Sequence, residues 1–209
     1  MASLQPEALF SPVLHSERLT LTLFDMENKD DIDFVAQMFN EEMPPNSSPS
    51  GGDWTPKDIR RLTWSVMPKP SDTHGRLSKD AGIYIVRMGN DDADGLRIGV
   101  VNLCRRTPAV PLDLGYMLKP EYRNQRYGTE AVGRVLEYLT EDFGIKELCI
   151  VTGEGNVPSL KMARRLGFVD GGWVTMGGEK EVVLVLPGMK KLEGEEFTFF
   201  GDGEEPRQQ

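Results

Sequence analysis

The chain has 209 residues and a formal charge of −9, with 39% hydrophobic and 27% charged residues, a balance that suits one folded unit with a sizeable core. The acidic balance argues against general nucleic-acid binding, which needs cations against phosphates, and no apolar run approaches the length that spans a bilayer. Two histidines and two cysteines without clustering give a structural zinc site no support, so no metal is expected.

Residues 1–14 read as a loose lead-in, followed by R-L-T-L-T-L-F at 18–24, whose alternation predicts a half-buried strand. A polar stretch leads to a helix capped by Asp31, with Ile32, Val35, Ala36 and Phe39 at helical spacing through about Glu42. The Pro/Ser/Gly-dense segment 43–53 is a loop. A second helix follows from Trp54, with Thr55 as cap and Pro56 in its first turn, burying Ile59, Leu62, Trp64 and Val66. The stretch 68–81, with His74, reads as a further loop. Strands are predicted at 82–88 and 97–106 around an N-D-D-A-D-G turn.

The organising stretch is 113–143. Leu112 to Leu118 is long enough for a strand, and Lys119-Pro120-Glu121 breaks it because proline fixes its own φ and lacks an N–H. Ala131, Val132, Val135, Leu136, Leu139 and Phe143 then mark the buried face of a helix. Between them lies a polar turn containing Arg123, Arg126 and Gly128. A helix start presents unpaired N–H groups and partial positive charge, so this turn can hold an anion, most naturally a phosphate; an ordinary strand–helix connection with solvated arginines is the competing reading.

Gly144 ends that helix, and E-L-C-I-V-T at 147–152 reads as a buried central strand. After Gly153-Glu154-Gly155, a short helix at 156–166 has Pro158 in its first turn and Gly167 past its end. Strands at 168–174 and 182–186 close the pattern, and residues 188–209 form an acidic tail whose sticky element is F-T-F-F at 197–200. Cys104 and Cys149 lie inside apolar runs and read as buried free thiols of a reducing compartment. With no basic-then-apolar N-terminal pattern, a soluble cytoplasmic protein is expected. The order β-α-α-β-β-β-α-β-α-β-β describes an α/β fold, a mixed central sheet flanked by helices, antiparallel first and then with one parallel βαβ step.

Two stretches together resemble the GNAT superfamily of acyl-CoA-dependent N-acetyltransferases. Arg123-Asn124-Gln125-Arg126-Tyr127-Gly128-Thr129-Glu130-Ala131 is similar to the family's pyrophosphate loop, R/Q-x-x-G-x-G/A, followed by T-E-A; the middle glycine is Arg126 here. Asn156-Val157-Pro158-Ser159 with Leu166-Gly167-Phe168 resembles an N-x-x-S…G-F element. Asp113-Leu114-Gly115-Tyr116 is similar to the E-L-G-Y strand, and Arg18-Leu19-Thr20-Leu21 to the opening R-L-x-L. The branch includes the N-terminal acetyltransferases of ribosomal proteins and many small-amine acetyltransferases, and the resemblance covers roughly 15–187.

The resemblance implies a single-domain fold at 15–187 and acetyl-CoA as cosubstrate. It places the pyrophosphate over N–H groups from Asn124 through Gln125, Arg126, Tyr127 and Gly128 to Thr129, with Arg123 alongside. The pantetheine would pair with backbone at Met117 and Leu118 and bond to Asn156, and Lys161, Arg164 and Arg165 add local positive charge. Transfer from a thioester to an amine needs proton removal, an oxyanion donor and an acid for the thiolate. Asp113 is the candidate base, acting through water, with Glu154 a secondary candidate; Ser159 is the candidate acid, or equally a serine bonded to the helix start. A backbone N–H near Leu118 is the candidate oxyanion donor, and Tyr116 either orients substrate or fills the core. The acceptor amine, a small molecule or a peptide N-terminus, would meet residues 41–81; the acidic balance favours cationic, polyamine-like acceptors. Transfer of a longer acyl group and a non-catalytic acyl-CoA-binding domain stay open, as does a homodimer through the last strands or the tail.

Overall fold

The structure, a computed structural model, describes residues 10–43, 45, 48–66, 82–90, 93–142 and 144–197, and of residues 64–66 the backbone only. The expected loop at 68–81 with His74, the side chains of Trp64 and Val66, Phe143, and residues 198–200 lie outside the described residues.

The chain runs β1 (Val13–His15), β2 (Leu19–Leu23), α1 (Lys29–Glu42), α2 (Pro56–Val66), β3 (Ile83–Met88), β4 (Arg97–Cys104), β5 (Leu112–Leu118), α3 (Tyr127–Glu137), β6 (Leu148–Thr152), α4 (Val157–Arg165), β7 (Val169–Met176), β8 (Glu179–Val185) and β9 (Leu192–Phe197). All nine strands join one sheet in the order β1-β2-β3-β4-β5-β6-β8-β7-β9. The β3-β4-β5 meander is antiparallel, and β5-α3-β6 is the parallel crossover.

The strand period of two divides the core between the two faces of the sheet. Tyr84 and Val86 of β3 pack in a cluster with Ala131, Val132 and Val135 of α3 and Leu160 of α4. Ile85, between them in sequence, points the other way and packs in a cluster with Ile32 and Val35 of α1 and Ile59 of α2. So α3 and α4 cover one face and α1 and α2 the other, each fully buried aliphatic side chain contributing about 1.5–3 kcal/mol. Past Glu137 the helix widens to a π-helical turn at Tyr138–Asp142, where the Thr140 hydroxyl donates to the Leu136 carbonyl.

Three expectations change. The end of the segment read as a loose lead-in, Val13 and Leu14, belongs to β1, which pairs antiparallel with β2. Asn28, not Asp31, caps α1, accepting from the N–H groups of Asp30 and Asp31. Asp31 is buried instead, its carboxylate 3.1 Å from Arg97 and 3.8 Å from Arg87, which ties α1 to β3 and β4. Within the segment read as a tail, Leu192–Phe197 forms β9, parallel to β7. Thr55 does open α2, in a reciprocal box with Asp58: the Asp58 N–H donates to Thr55 Oγ1 at 3.3 Å, and the Thr55 N–H to Asp58 Oδ2 at 3.0 Å. No helix among the described residues is long and apolar enough to cross a membrane.

Candidate functional site

β5 and β6 share only two paired positions, Leu112 with Leu148 and Asp113 with Cys149. Beyond them the strands part. On the other side β5 stays paired with β4 up to Leu118, where the Lys119 N–H donates to the Ile98 carbonyl. Hydrogen-bonded and non-bonded pairs alternate along an antiparallel ladder, so the N–H and C=O groups of Tyr116 and Leu118 turn away from β4, toward the gap. A cleft of about 830 Å³ occupies this gap.

The start of α3 lies at one end of the cleft. The Glu130 N–H makes the first helical bond, to the Arg126 carbonyl, leaving the N–H groups of Tyr127, Gly128 and Thr129 without partners among the described residues. Gly128 packs this turn onto β5: a Cβ there would come within 3.3 Å of Leu118 Cδ1 and 3.5 Å of the Tyr116 ring. Arg126, at the cap, has φ 68° and Asn124 φ 62°, so both are left-handed, a conformation that glycine takes without cost. The arginine therefore keeps the backbone shape that a glycine would supply and adds a guanidinium. Arg123 Nε donates to the Leu118 carbonyl at 3.0 Å, and its Nη2 pairs with Glu42 of α1.

Opposite lies the start of α4. Asn156 caps it, its Oδ1 accepting from the Ser159 N–H at 3.3 Å while its Nδ2 donates to Thr152 Oγ1 at 3.1 Å. Ser159 is 4% exposed and lines the cleft together with Tyr116. Burial raises the Tyr116 pKa, and the Ser159 hydroxyl and the charge of Arg123 oppose it without cancelling it. The phenol therefore keeps its proton at neutral pH.

Asp113 sits on the cleft wall where the strands part, only 2% exposed. Its Oδ2 accepts from Arg106 Nε at 3.1 Å and Nη2 at 3.0 Å, and its Oδ1 from the Val151 N–H at 3.1 Å. The carboxylate is thus held between β5, β6 and the β4–β5 connection. Burial raises the pKa of both thiols, Cys149 well above the ordinary value, so neither offers a thiolate.

Of the residues singled out from the sequence, Asp113, Met117, Leu118, Arg123, Asn124, Arg126, Gly128, Thr129, Asn156 and Ser159 line this one cleft. Gln125 and Tyr127 do not line it: Gln125 bonds to the Glu121 carbonyl, and the Tyr127 ring lies beneath Arg18 at 4.4 Å. Lys161 and Arg165 line it, whereas Arg164 and Glu154 are exposed away from its wall. Trp54, expected on the acceptor side, is core: 4% exposed, with its ring 4.6 Å from that of Phe39. The sequence reading missed Arg106 and Asn102, both on the cleft wall. Asn102 left one signal, a polar residue inside V-V-N-L-C; Arg106 left none.

The arrangement can hold a phosphate-bearing thioester at the α3 start and along β5. Among the described residues no cluster of three metal-ligating side chains occurs. Residues 18–169 match the family model described as acetyltransferase (GNAT) domain. No curated protein matches the sequence. Among solved structures, an acetyltransferase (GNAT family) from Bacillus anthracis superposes with a TM-score of 0.57 at 16% identity, over 83% of this chain and 97% of that one. A provisionally named ribosomal-protein-serine acetyltransferase from Vibrio cholerae gives 0.56 at 20% identity, over 85% and 99%. A variant of spermidine N-acetyltransferase from Vibrio cholerae gives 0.57 at 14% identity, over 80% and 92%. At these identities the likeness concerns the fold.

Proposed function

Because the chain belongs to the GNAT acetyltransferase family and is an acyl-CoA-dependent enzyme that transfers acetyl to an amine, we propose that the cleft between β5 and β6 is where acetyl-CoA and the amine meet. The observation that carries this reading is the parting of the two strands beside a helix start whose N–H groups at 127–129 have no partner. Acetyl-CoA supplies the acetyl group, activated as a thioester.

The N–H groups from Asn124 to Thr129 cradle the pyrophosphate, with Arg123 and Arg126 adding charge-assisted bonds. Gln125 and Tyr127 act through the loop's shape, since their side chains are engaged away from the cleft. Along β5, Leu118 and the neighbouring Met117 offer the pantetheine a strand edge. The outward N–H of Leu118 is placed to receive the carbonyl oxygen as it gains charge. Asn156 fixes the first turn of α4 and thereby Ser159, and the hydroxyls of Ser159 and Tyr116, both on the cleft wall, are the proton source for the departing thiolate. Asp113, ion-paired with Arg106, receives the amine's proton through water in the cleft.

The acceptor is a primary amine, on a small molecule or at a peptide N-terminus. Residence in the cytoplasm and self-association through the last strands, where Val169 and Trp173 are exposed, complete the reading. Calorimetric titration with acetyl-CoA, followed by thiol release on an amine panel, tests it. Saturable binding and amine-dependent thiol release are expected; an absence of binding removes the cleft as the cofactor site.

A further inference from the structure

The half of the cleft away from α3 differs in chemistry from the phosphate end. Its wall comes from α1 and α2 through Val35, Phe39, Ile59 and Leu62, and from β4 through Val100 and Cys104. These residues belong to the core cluster on the α1/α2 face, so the wall is continuous with that core. Cys104 is neutral because burial raises its pKa.

Carboxylates are scarce along the cleft. Among the described lining residues they are Glu42 and Asp113, and each is already paired, with Arg123 and Arg106 respectively. A polyamine carries several ammonium groups, and each that leaves water needs an anionic or strong acceptor partner. Here such a molecule would have to displace an arginine from its carboxylate or enter with its charges unpaired. An apolar body, by contrast, gains by leaving water for this wall.

One polar group on the wall is unsatisfied. Thr63 of α2 is 2% exposed and lines the cleft, and its Oγ1 has no hydrogen-bond partner among the described residues. A buried hydroxyl without a partner is costly, and a ligand amine that donates to it removes that cost.

Resting on the transferase reading above, we propose that the acceptor is a primary amine carried on an apolar body, of the arylalkylamine kind, and that Thr63 is the polar contact that orients it. The chain's overall acidity does not select the acceptor, because the charge that matters is local.

Calorimetry on the full chain saturated with CoA tests this, with phenethylamine and spermidine as probes. Phenethylamine is expected to bind at least about tenfold tighter than spermidine. Thr63→Val, which keeps the side-chain shape, is expected to weaken phenethylamine about fivefold, with Thr63→Ser restoring it and CoA affinity unmoved. Equal or tighter spermidine binding, no binding of either amine, or phenethylamine binding indifferent to Thr63→Val overturns the inference while leaving the transferase reading in place. Failure of the wild type to bind CoA removes both.

Discussion

Arg18 and Glu130, 112 positions apart, meet with the guanidinium Nε 2.7 Å from the carboxylate. The other carboxylate oxygen accepts from the Arg18 N–H and the Ser16 hydroxyl, each at 2.7 Å, while Arg18 also reaches the Gln125 carbonyl and covers the Tyr127 ring. The residues just before β2 thus tie down the turn at the start of α3. Burial raises the Glu130 pKa, but the bonds from Ser16 and Arg18 and the Arg18 charge outweigh it, and the net shift is downward. A carboxyl depressed in the fold stabilises above its unfolded value, and that stability is lost as pH falls through the folded one. Glu130→Gln should therefore lose about 1–2 kcal/mol near neutrality and converge with wild type only at pH below the ordinary carboxylate range, read by thermal denaturation across pH.

Gly128 bears on cofactor access rather than on backbone strain. With its Cβ position only 3.3 Å from Leu118, any larger side chain must project over the cleft or push α3 off β5. Gly128→Ala should weaken acetyl-CoA roughly threefold to tenfold, and Gly128→Trp should abolish saturable binding in the calorimeter while the far-UV dichroism of the fold persists.

Local pattern made the α3 stripe, the cap-and-proline start of α4 and the polar turn ahead of α3 legible, because each is written in neighbouring residues. Long-range pairing leaves no such trace. Nothing in the sequence joins Arg106 to Asp113, which face each other across the turn between β4 and β5, and nothing sends Asp31 to Arg97, 66 positions away, rather than to the cap of its own helix. β9 was hidden for another reason. Its L-E-G-E-E-F composition lacks strand character, yet Gly194 fits beneath Trp173, where a Cβ would come within 2.8 Å of the indole. Such a strand is specified by its neighbour.

Arg126 combines backbone strain with placement on the cleft. A non-glycine residue at φ 68° costs about 1 kcal/mol. Arg126→Gly should thus leave stability unchanged or raise it by up to about 1 kcal/mol, while the lost guanidinium weakens acetyl-CoA about threefold to tenfold, more at low salt. A melting curve and calorimetry on the same sample separate the two effects. Unchanged affinity would mean that this guanidinium points to solvent when cofactor is bound.

Arg123 is shared between the Glu42 carboxylate and the Leu118 carbonyl, so on the proposed reading α1 would compete with the cofactor for the same guanidinium. Removing the competitor should help binding. Glu42→Gln is expected to tighten acetyl-CoA about twofold to fivefold, because the free arginine no longer gives up an ion pair to meet a phosphate. If affinity falls instead, the Glu42 pair holds Arg123 in the geometry that binding needs.

Asp113 and Ser159 line the same cleft but differ in what holds them. Asp113 pairs with a buried arginine, so Asp113→Asn removes one partner of that pair and should cost about 3–5 kcal/mol of stability, whatever its part in catalysis. Stability alone therefore cannot reveal a base. The distinguishing readout is the pH profile of kcat at a temperature where the variant remains folded. If Asp113 takes the proton through water, the variant's rate should fall about tenfold to a hundredfold and climb with pH as the free amine fraction grows. A parallel profile at reduced amplitude would mark it as a positioning residue. The Ser159 hydroxyl has a place on the cleft wall rather than in an ion pair. Ser159→Ala should hold stability within about 1 kcal/mol yet lower kcat with little change in acetyl-CoA affinity. A more acidic leaving thiol needs less proton donation, so that variant should recover part of its rate with an activated thioester donor. No recovery would shift the proton source to Tyr116 acting alone.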